Sequence, residues 1–164
     1  MRHLPLIATI LLAALAWASV PFFHGLEHRL PDGDAVGHLG AIELNIMVME
    51  DRGLEEMLRQ AFTSGGEYPP LYALVVALAS IPFLGDDPFP GGVPIALGGL
   101  WALTLLGTAL LGRERSRTGP GLKHTSPWAG FLAALILALS PLALALVRQP
   151  MPEPMVALFV VYMA

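Results

Sequence analysis

Residues 93–117 read VPIALGGLWALTLLGTALLGRERSR. From Val93 to Leu111 there is no charge, and the segment is long enough for a helix to cross a bilayer core, which takes about 20 residues. Arg113-Glu114-Arg115-Ser116-Arg117 follows at once, with Lys123 beyond it. This is the densest positive cluster in the chain, and short basic loops of this kind stay on the cytoplasmic side of a membrane. The segment is therefore predicted to run from outside at Val93 to inside at Leu111, and the other apolar stretches have to agree with that direction.

Immediately upstream, Leu71 to Leu84 is apolar but short, bounded by Tyr68-Pro69-Pro70 and Gly85-Asp86-Asp87-Pro88. If it spanned, the basic cluster would fall outside; length and charge agree on a re-entrant or juxtamembrane helix over 71–84. Further upstream, Leu4 to Phe23 is a first span, behind Arg2 and His3 and with Trp17 and Phe22-Phe23 at interfacial positions. Ala16-Trp17-Ala18 also fits the A-x-A pattern of signal cleavage, but the apolar segments that follow favour a retained helix. Residues 24–92 then form an outer loop whose polar stretch, 24–70, holds nine of the thirteen acids: Glu27, Asp32, Asp34, Glu43, Glu50, Asp51, Glu55, Glu56 and Glu67. Within this loop Pro31-Asp32-Gly33-Asp34 is a turn leading into a helix over about 34–52. At 100° per residue, Asp34, His38, Ala41, Asn45 and Arg52 take one side and Val36, Leu39 and Ile46 the other. Such a helix lies along the membrane surface with its polar face toward a cavity.

Downstream, Trp128 to Val147 is a third span, with a bend expected at Ser140-Pro141. Arg148-Gln149-Pro150-Met151-Pro152-Glu153-Pro154 is an outer turn, and residues 154–164 begin a fourth span that stops short. The expected fold is an all-α integral membrane protein, multi-pass with a cytoplasmic N-terminus, read here as the N-terminal part of a longer polytopic chain. Its Ala/Leu/Gly/Pro-rich usage inclines the host membrane toward a bacterial inner membrane.

Composition agrees with this class. The 164 residues are 55% hydrophobic and 13% charged, with a mean hydropathy of +0.64, outside the range of soluble domains and the opposite of a disordered chain. A net charge of −4 excludes a nucleic-acid partner. The absence of cysteine excludes disulfides, thiolate metal sites and a Cys nucleophile.

An acid beyond the first span, an aromatic-Pro-Pro juxtamembrane segment, and an Arg followed by an acid-Pro pair after the third span form an ordered set. The pieces are Pro31-Asp32-Gly33-Asp34 with His38, Glu67-Tyr68-Pro69-Pro70-Leu71-Tyr72 running to Phe83-Leu84-Gly85, Ser140-Pro141, and Arg148 with Met151-Pro152-Glu153-Pro154. The set resembles the N-terminal part of the C-type (GT-C) membrane glycosyltransferases, the superfamily of protein O-mannosyltransferases and lipid A aminoarabinose transferases. That resemblance implies inverting transfer of a sugar from a polyprenyl- or dolichyl-phosphate carrier to a protein, lipid or glycan acceptor on the outer face. The first-loop acid, catalytic base or metal neighbour, would be Asp34 or Asp32, since this chain has Asp-Gly-Asp where Asp-Glu is common. Asp34 is favoured because it opens the helix carrying His38. The second-loop acid would be Glu153, and carrier or substrate contacts would fall on Arg148, Arg59, His38, Glu67 and Tyr68. The chain has Glu67-Tyr68-Pro69 where aminoarabinose transferases have Glu-Lys-Pro, so their lysine contact is not reproduced.

These residue types suit that chemistry. An attacking acceptor must give up a proton, which a positioned carboxylate accepts. The departing phosphate needs Arg or a divalent cation, and oxygen ligands from Asp34 and Glu153 would suit Mg²⁺, Mn²⁺ or Ca²⁺. Each residue also has a plainer reading: Asp34 as a helix cap, Arg148 as a snorkelling anchor, the basic cluster as a topology determinant. Two other functions compete. A transporter or flippase would carry charges in mid-span, and the three spans have none; a non-catalytic subunit of a membrane complex would tolerate loss of Asp34 and Glu153.

Overall fold

A computed structural model describes residues 3–26, 34–63, 70–83, 92–118, 126–140, 143, 156, 157, 160, 162 and 163. Among them there is no strand. Six helices are ordered as α1 (Leu4–Leu26), α2 (Asp34–Arg52), α3 (Leu54–Thr63), α4 (Pro70–Ser80, extended by a 3-10 turn at Ile81–Phe83), α5 (Gly92–Thr118) and α6 (Ala129–Ala138).

Two of these helices, α1 and α5, are long and apolar enough to cross a membrane. At 1.5 Å per residue they measure about 35 and about 40 Å. They pack side by side and antiparallel, Trp17 of α1 lying against Ile95 and Gly98 near the start of α5. Pro21 provides the local cause. It has no N–H for the carbonyl four residues back, Trp17 O, and this is the carbonyl that Gly98 approaches. A Cβ on Gly98 would stand 2.6 Å from Trp17 O and 2.8 Å from its Cδ1, so only glycine admits the contact. The indole completes it by donating Nε1–H to Ile95 O at 3.0 Å.

The opposite half of α5 receives α6 by the same device. A Cβ on Gly130 would collide with the Ala109 carbonyl, and one on Gly112 would meet the Ala133 Cβ at 3.0 Å. Small residues at facing positions let helix backbones approach where lipid offers no hydrophobic drive between helices. The hydroxyls within these apolar helices satisfy themselves on their own backbone. Thr9, Ser80 and Thr104 donate to Pro5 O, Val76 O and Leu100 O at 2.8, 2.7 and 2.9 Å.

Outward, α1 and α6 carry bare apolar side chains: Leu15 is 71% exposed and Ile136 73%. A helix apolar on every side and left uncovered is the pattern of a lipid-facing surface.

Three boundaries differ from the sequence expectation. Helix α5 does not stop at Leu111 but continues to Thr118, so Arg113 to Arg117 is the end of a helix rather than a loop. Gly112 alone does not end it, the next breaking signal is Gly119-Pro120, and cations are favourable at a helix C-terminus. The expected third span over 128–147 is continuous helix from Ala129 to Ala138 and breaks at Leu139-Ser140, beside the expected bend; of its remainder only Ala143, which is helical, is among the described residues. Pro141 leaves Leu137 O without its usual donor, and Ser140 N–H takes it at 3.1 Å, closing the helix. An unforeseen helix, α3, occupies 54–63. Most of the expected fourth span lies outside the described residues.

The glycine contacts yield a paired prediction. Gly98→Ala should lower the thermal midpoint in detergent by an amount equivalent to about 1–3 kcal/mol of overpacking. Gly99→Ala, where a Cβ meets nothing within 4 Å, should leave the midpoint unchanged or raise it.

Candidate functional site

The acid-rich segment between α1 and α5 folds as a layer of three helices, α2, α3 and α4. Helix α2 begins at Asp34 and ends at Arg52, and Gly53 then takes φ +85°. Its N–H reaches back to Met49 O at 2.9 Å, the left-handed glycine stop of a helix. The chain restarts at Leu54, with Glu55 and Glu56 in the first turn of α3, where acids complement the helix dipole. Met57 of α3, Val48 of α2 and Leu74 of α4 bury one another in a small core.

The main core joins this layer to the long helices. Ile42 and Ile46 of α2, Tyr72, Ala73, Val76 and Ala77 of α4, Val20 of α1, and Val93, Ala96 and Leu97 of α5 form one cluster. Pro70 at the first position of α4 is compatible with a helix start, and Tyr72 follows within that first turn, 1% exposed.

The buried face of α2 is His38, Ile42, Asn45 and Ile46. His38 and Asn45 do share a side, as the helical spacing predicts. The expected separation from Ile46 does not hold, because Ile46 is buried beside them while Val36, Leu44 and Met47 are exposed. The helix buries two polar residues, His38 and Asn45, beside Ile42 and Ile46, while Val36, Leu44 and Met47 stay outside with Glu50, Asp51 and Arg52. His38 meets Tyr72 edge to face, with ring centroids 5.4 Å apart and planes at 86°, a favoured aromatic geometry.

The residues expected to form the site are distributed as follows. Asp34 is the first residue of α2, one turn before His38 on the same side of the helix, and its side chain lies outside the described set. His38 is in the core between α2 and α4. Arg59 is on α3, a different helix, and its Nε–H donates to Glu56 Oε2 at 2.9 Å while an Nη2–H donates to Oε1. This bidentate pair holds the Glu56 carboxyl below the usual carboxylate range and raises the Arg59 guanidinium. Asp32, Glu67, Tyr68, Arg148 and Glu153 lie outside the described residues. Among the described residues no three His, Asp or Glu side chains gather as a metal site would require.

Two members of the layer were missed in the sequence, Tyr72 and Asn45 as the buried company of His38. Asn45 had been placed on the right side but toward a cavity. Tyr72 had a legible signal, an aromatic directly after Pro69-Pro70 at the head of an apolar helix.

Comparison with protein-family models, curated proteins and solved structures finds no match to this chain.

Two outcomes follow from the layer. Tyr72→Ala should destabilise the protein by about 3–5 kcal/mol, the usual range for truncating a buried aromatic, whereas Leu71→Ala, at a side chain 48% exposed, should cost far less; denaturant titration in detergent separates them. Glu56 has a lowered folded-state pKa, so its contribution is present above its unfolded pKa and is lost as pH falls through the folded one. The protection factors of α3 amides, normalised to the intrinsic exchange rate at each pH, should therefore fall slightly on acidification, and Glu56→Gln should remove that dependence.

Proposed function

We propose that this chain belongs to a C-type membrane glycosyltransferase that moves a sugar from a polyprenyl-phosphate donor to an acceptor on the extracytoplasmic face. The observation that carries the reading is the helical layer between α1 and α5. An acid-led helix, α2, packs its histidine onto a short apolar helix, α4, that does not span. Both belong to the segment joining the C-terminal end of α1 to the N-terminal end of α5, away from the basic end of α5. The ordered motifs around Asp34, Tyr68-Pro69-Pro70 and Glu153 support the same assignment. In this reading the protein is an enzyme of the bacterial inner membrane, multi-pass with its N-terminus in the cytoplasm.

The chemistry is displacement at the anomeric carbon. The bond from that carbon to the carrier phosphate oxygen breaks, a bond to the acceptor forms on the opposite face, and the acceptor's proton passes to the Asp34 carboxylate. The phosphate leaves with both electrons of the broken bond, and its growing charge calls for a cation, a role for Arg148; Asp34 and Glu153 would be the residues to hold a divalent metal, which would supply the same charge stabilisation. His38, fixed against Tyr72, serves as a rigid point on the helix that Asp34 opens.

Removing the base tests the reading. In native membranes supplied with a labelled polyprenyl-phosphate sugar, Asp34→Asn and Glu153→Gln should each lower turnover by about 10²–10⁴-fold, with expression and melting behaviour unchanged. Asp32→Asn, the rival acid, should have the smaller effect. Unchanged turnover in both Asp34→Asn and Glu153→Gln would sink the enzyme assignment in favour of a non-catalytic membrane subunit.

A further inference from the structure

At the end of the molecule away from α2–α4, a groove of about 880 Å³ runs between α1, α5 and α6, and Tyr162 of the C-terminal segment, whose hydroxyl donates to Leu103 O at 3.4 Å, also lines it. Among the described residues none of α2, α3 or α4 lines it. Its walls are largely apolar, with Leu6 from α1, Leu110 from α5 and Phe131 from α6. Leu6 and Leu110 are 49% and 57% exposed, and next to Leu6 on α1 the groove gives way to the bare surface of Ile7 and Ile10.

Thr9, Ser116, Ser126 and Tyr162 add hydroxyls to the lining, and one position is charged. Among the described residues Arg113 is the only charged one in the lining, and no carboxylate among them lines the groove. Ser126 is a polar residue of the same lining. Its Oγ accepts the Trp128 N–H at 3.3 Å, which leaves its own O–H to donate. The surrounding segment adds Arg115, Arg117 and Lys123 against Glu114 alone.

We propose that this groove is a binding site for an anionic phospholipid, its acyl chain along Leu6, Leu110 and Phe131 and its phosphate on the Arg113 guanidinium with Ser126. Three observations carry the assignment: a mainly apolar trough on a span-length helix pair, next to the bare apolar surface of α1; a cation in that trough; and no acid in its wall among the described residues. Arg recognises phosphate oxygens with paired N–H donors, and basic pockets between membrane helices select anionic headgroups. A free phosphate would gain nothing from the apolar walls, and a zwitterionic lipid would leave Arg113 facing a compensated headgroup. The site is separate from the proposed transferase layer and does not depend on it.

The test uses the purified chain in phosphatidylcholine vesicles doped with a photoreactive phosphatidylglycerol or, in a matched arm, photoreactive phosphatidylcholine, with labelled residues mapped by mass spectrometry. The phosphatidylglycerol probe should label Leu6, Leu110 or Phe131 about fivefold more than the phosphatidylcholine probe, the selectivity expected of one interfacial cation. Arg113→Gln should bring the two probes to parity and Arg113→Lys should retain most of the preference. Leu6→Trp, which fills the trough at a half-exposed position, should suppress labelling of Phe131 by both. Equal labelling by the two probes, a preference surviving in Arg113→Gln, or labelling confined to outer faces such as Leu15 and Ile136 overturns the proposal. So does protection of Leu6 and Phe131 from both probes, which would mean that protein, not lipid, covers the groove.

Discussion

The fold depends on one close approach, the backbone of α1 at Trp17 against Gly98 of α5. Pro21 withholds an N–H from the Trp17 carbonyl, Gly98 offers no Cβ to meet it, and the indole of Trp17 donates to Ile95 O one turn earlier. Each part has a separate sequence cause, and together they fix the separation and relative rotation of the two longest helices. Other helices are then added to the faces that this pair leaves open. Helix α6 uses Gly130 and Gly112 to settle on the far half of α5, and α4 brings Ala73, Val76 and Ala77 into the core shared with Val93, Ala96 and Leu97. The contacts are dominated by small residues and backbone because, between apolar helices in an apolar medium, fit and hydrogen bonding replace the hydrophobic effect as the source of association.

The two ends of the α1–α5 pair have different chemistry. One end carries Arg113, Arg115 and Arg117 and the mainly apolar groove; at the other the chain continues into a layer that holds Asp34, the buried His38 and most of the acids. The difference suits a membrane, where cationic segments and anionic headgroups meet on one face and loops with excess acid lie on the other. It also separates the two proposals spatially, since the transferase reading rests on the α2–α4 layer and the lipid site on the basic end.

Much of this was legible in the sequence. The start and stop of α2 at Asp34 and Arg52 follow from Asp-Gly-Asp before it and Gly53 after it, and the non-spanning character of α4 follows from its length between prolines. The basic stretch was read as a loop because charge marks topology, but charge does not end a helix; only Gly119-Pro120 carries a breaking signal. Helix α3 was legible and overlooked, since Leu54, Met57, Leu58, Ala61 and Phe62 repeat at helical spacing behind two acids. The facing of α2 was not legible. Periodicity groups His38 with Asn45, but whether such a face meets water or protein is decided by what packs on it, and Tyr72 comes from a different helix. The groove was also invisible, because its lining is drawn from α1, α5 and α6 together, and no local pattern marks such a convergence.

The central claim is that the α1–α5 pair crosses a membrane, with the α2–α3 layer and the basic end on opposite faces. The absence of native cysteine makes the direct measurement simple: single cysteines at Asp51 and at Ser126, both exposed, are probed with a membrane-impermeant maleimide in sealed right-side-out vesicles. The account predicts that Asp51→Cys reacts in intact vesicles and Ser126→Cys only after permeabilisation. Reaction of both positions from the same side would contradict it.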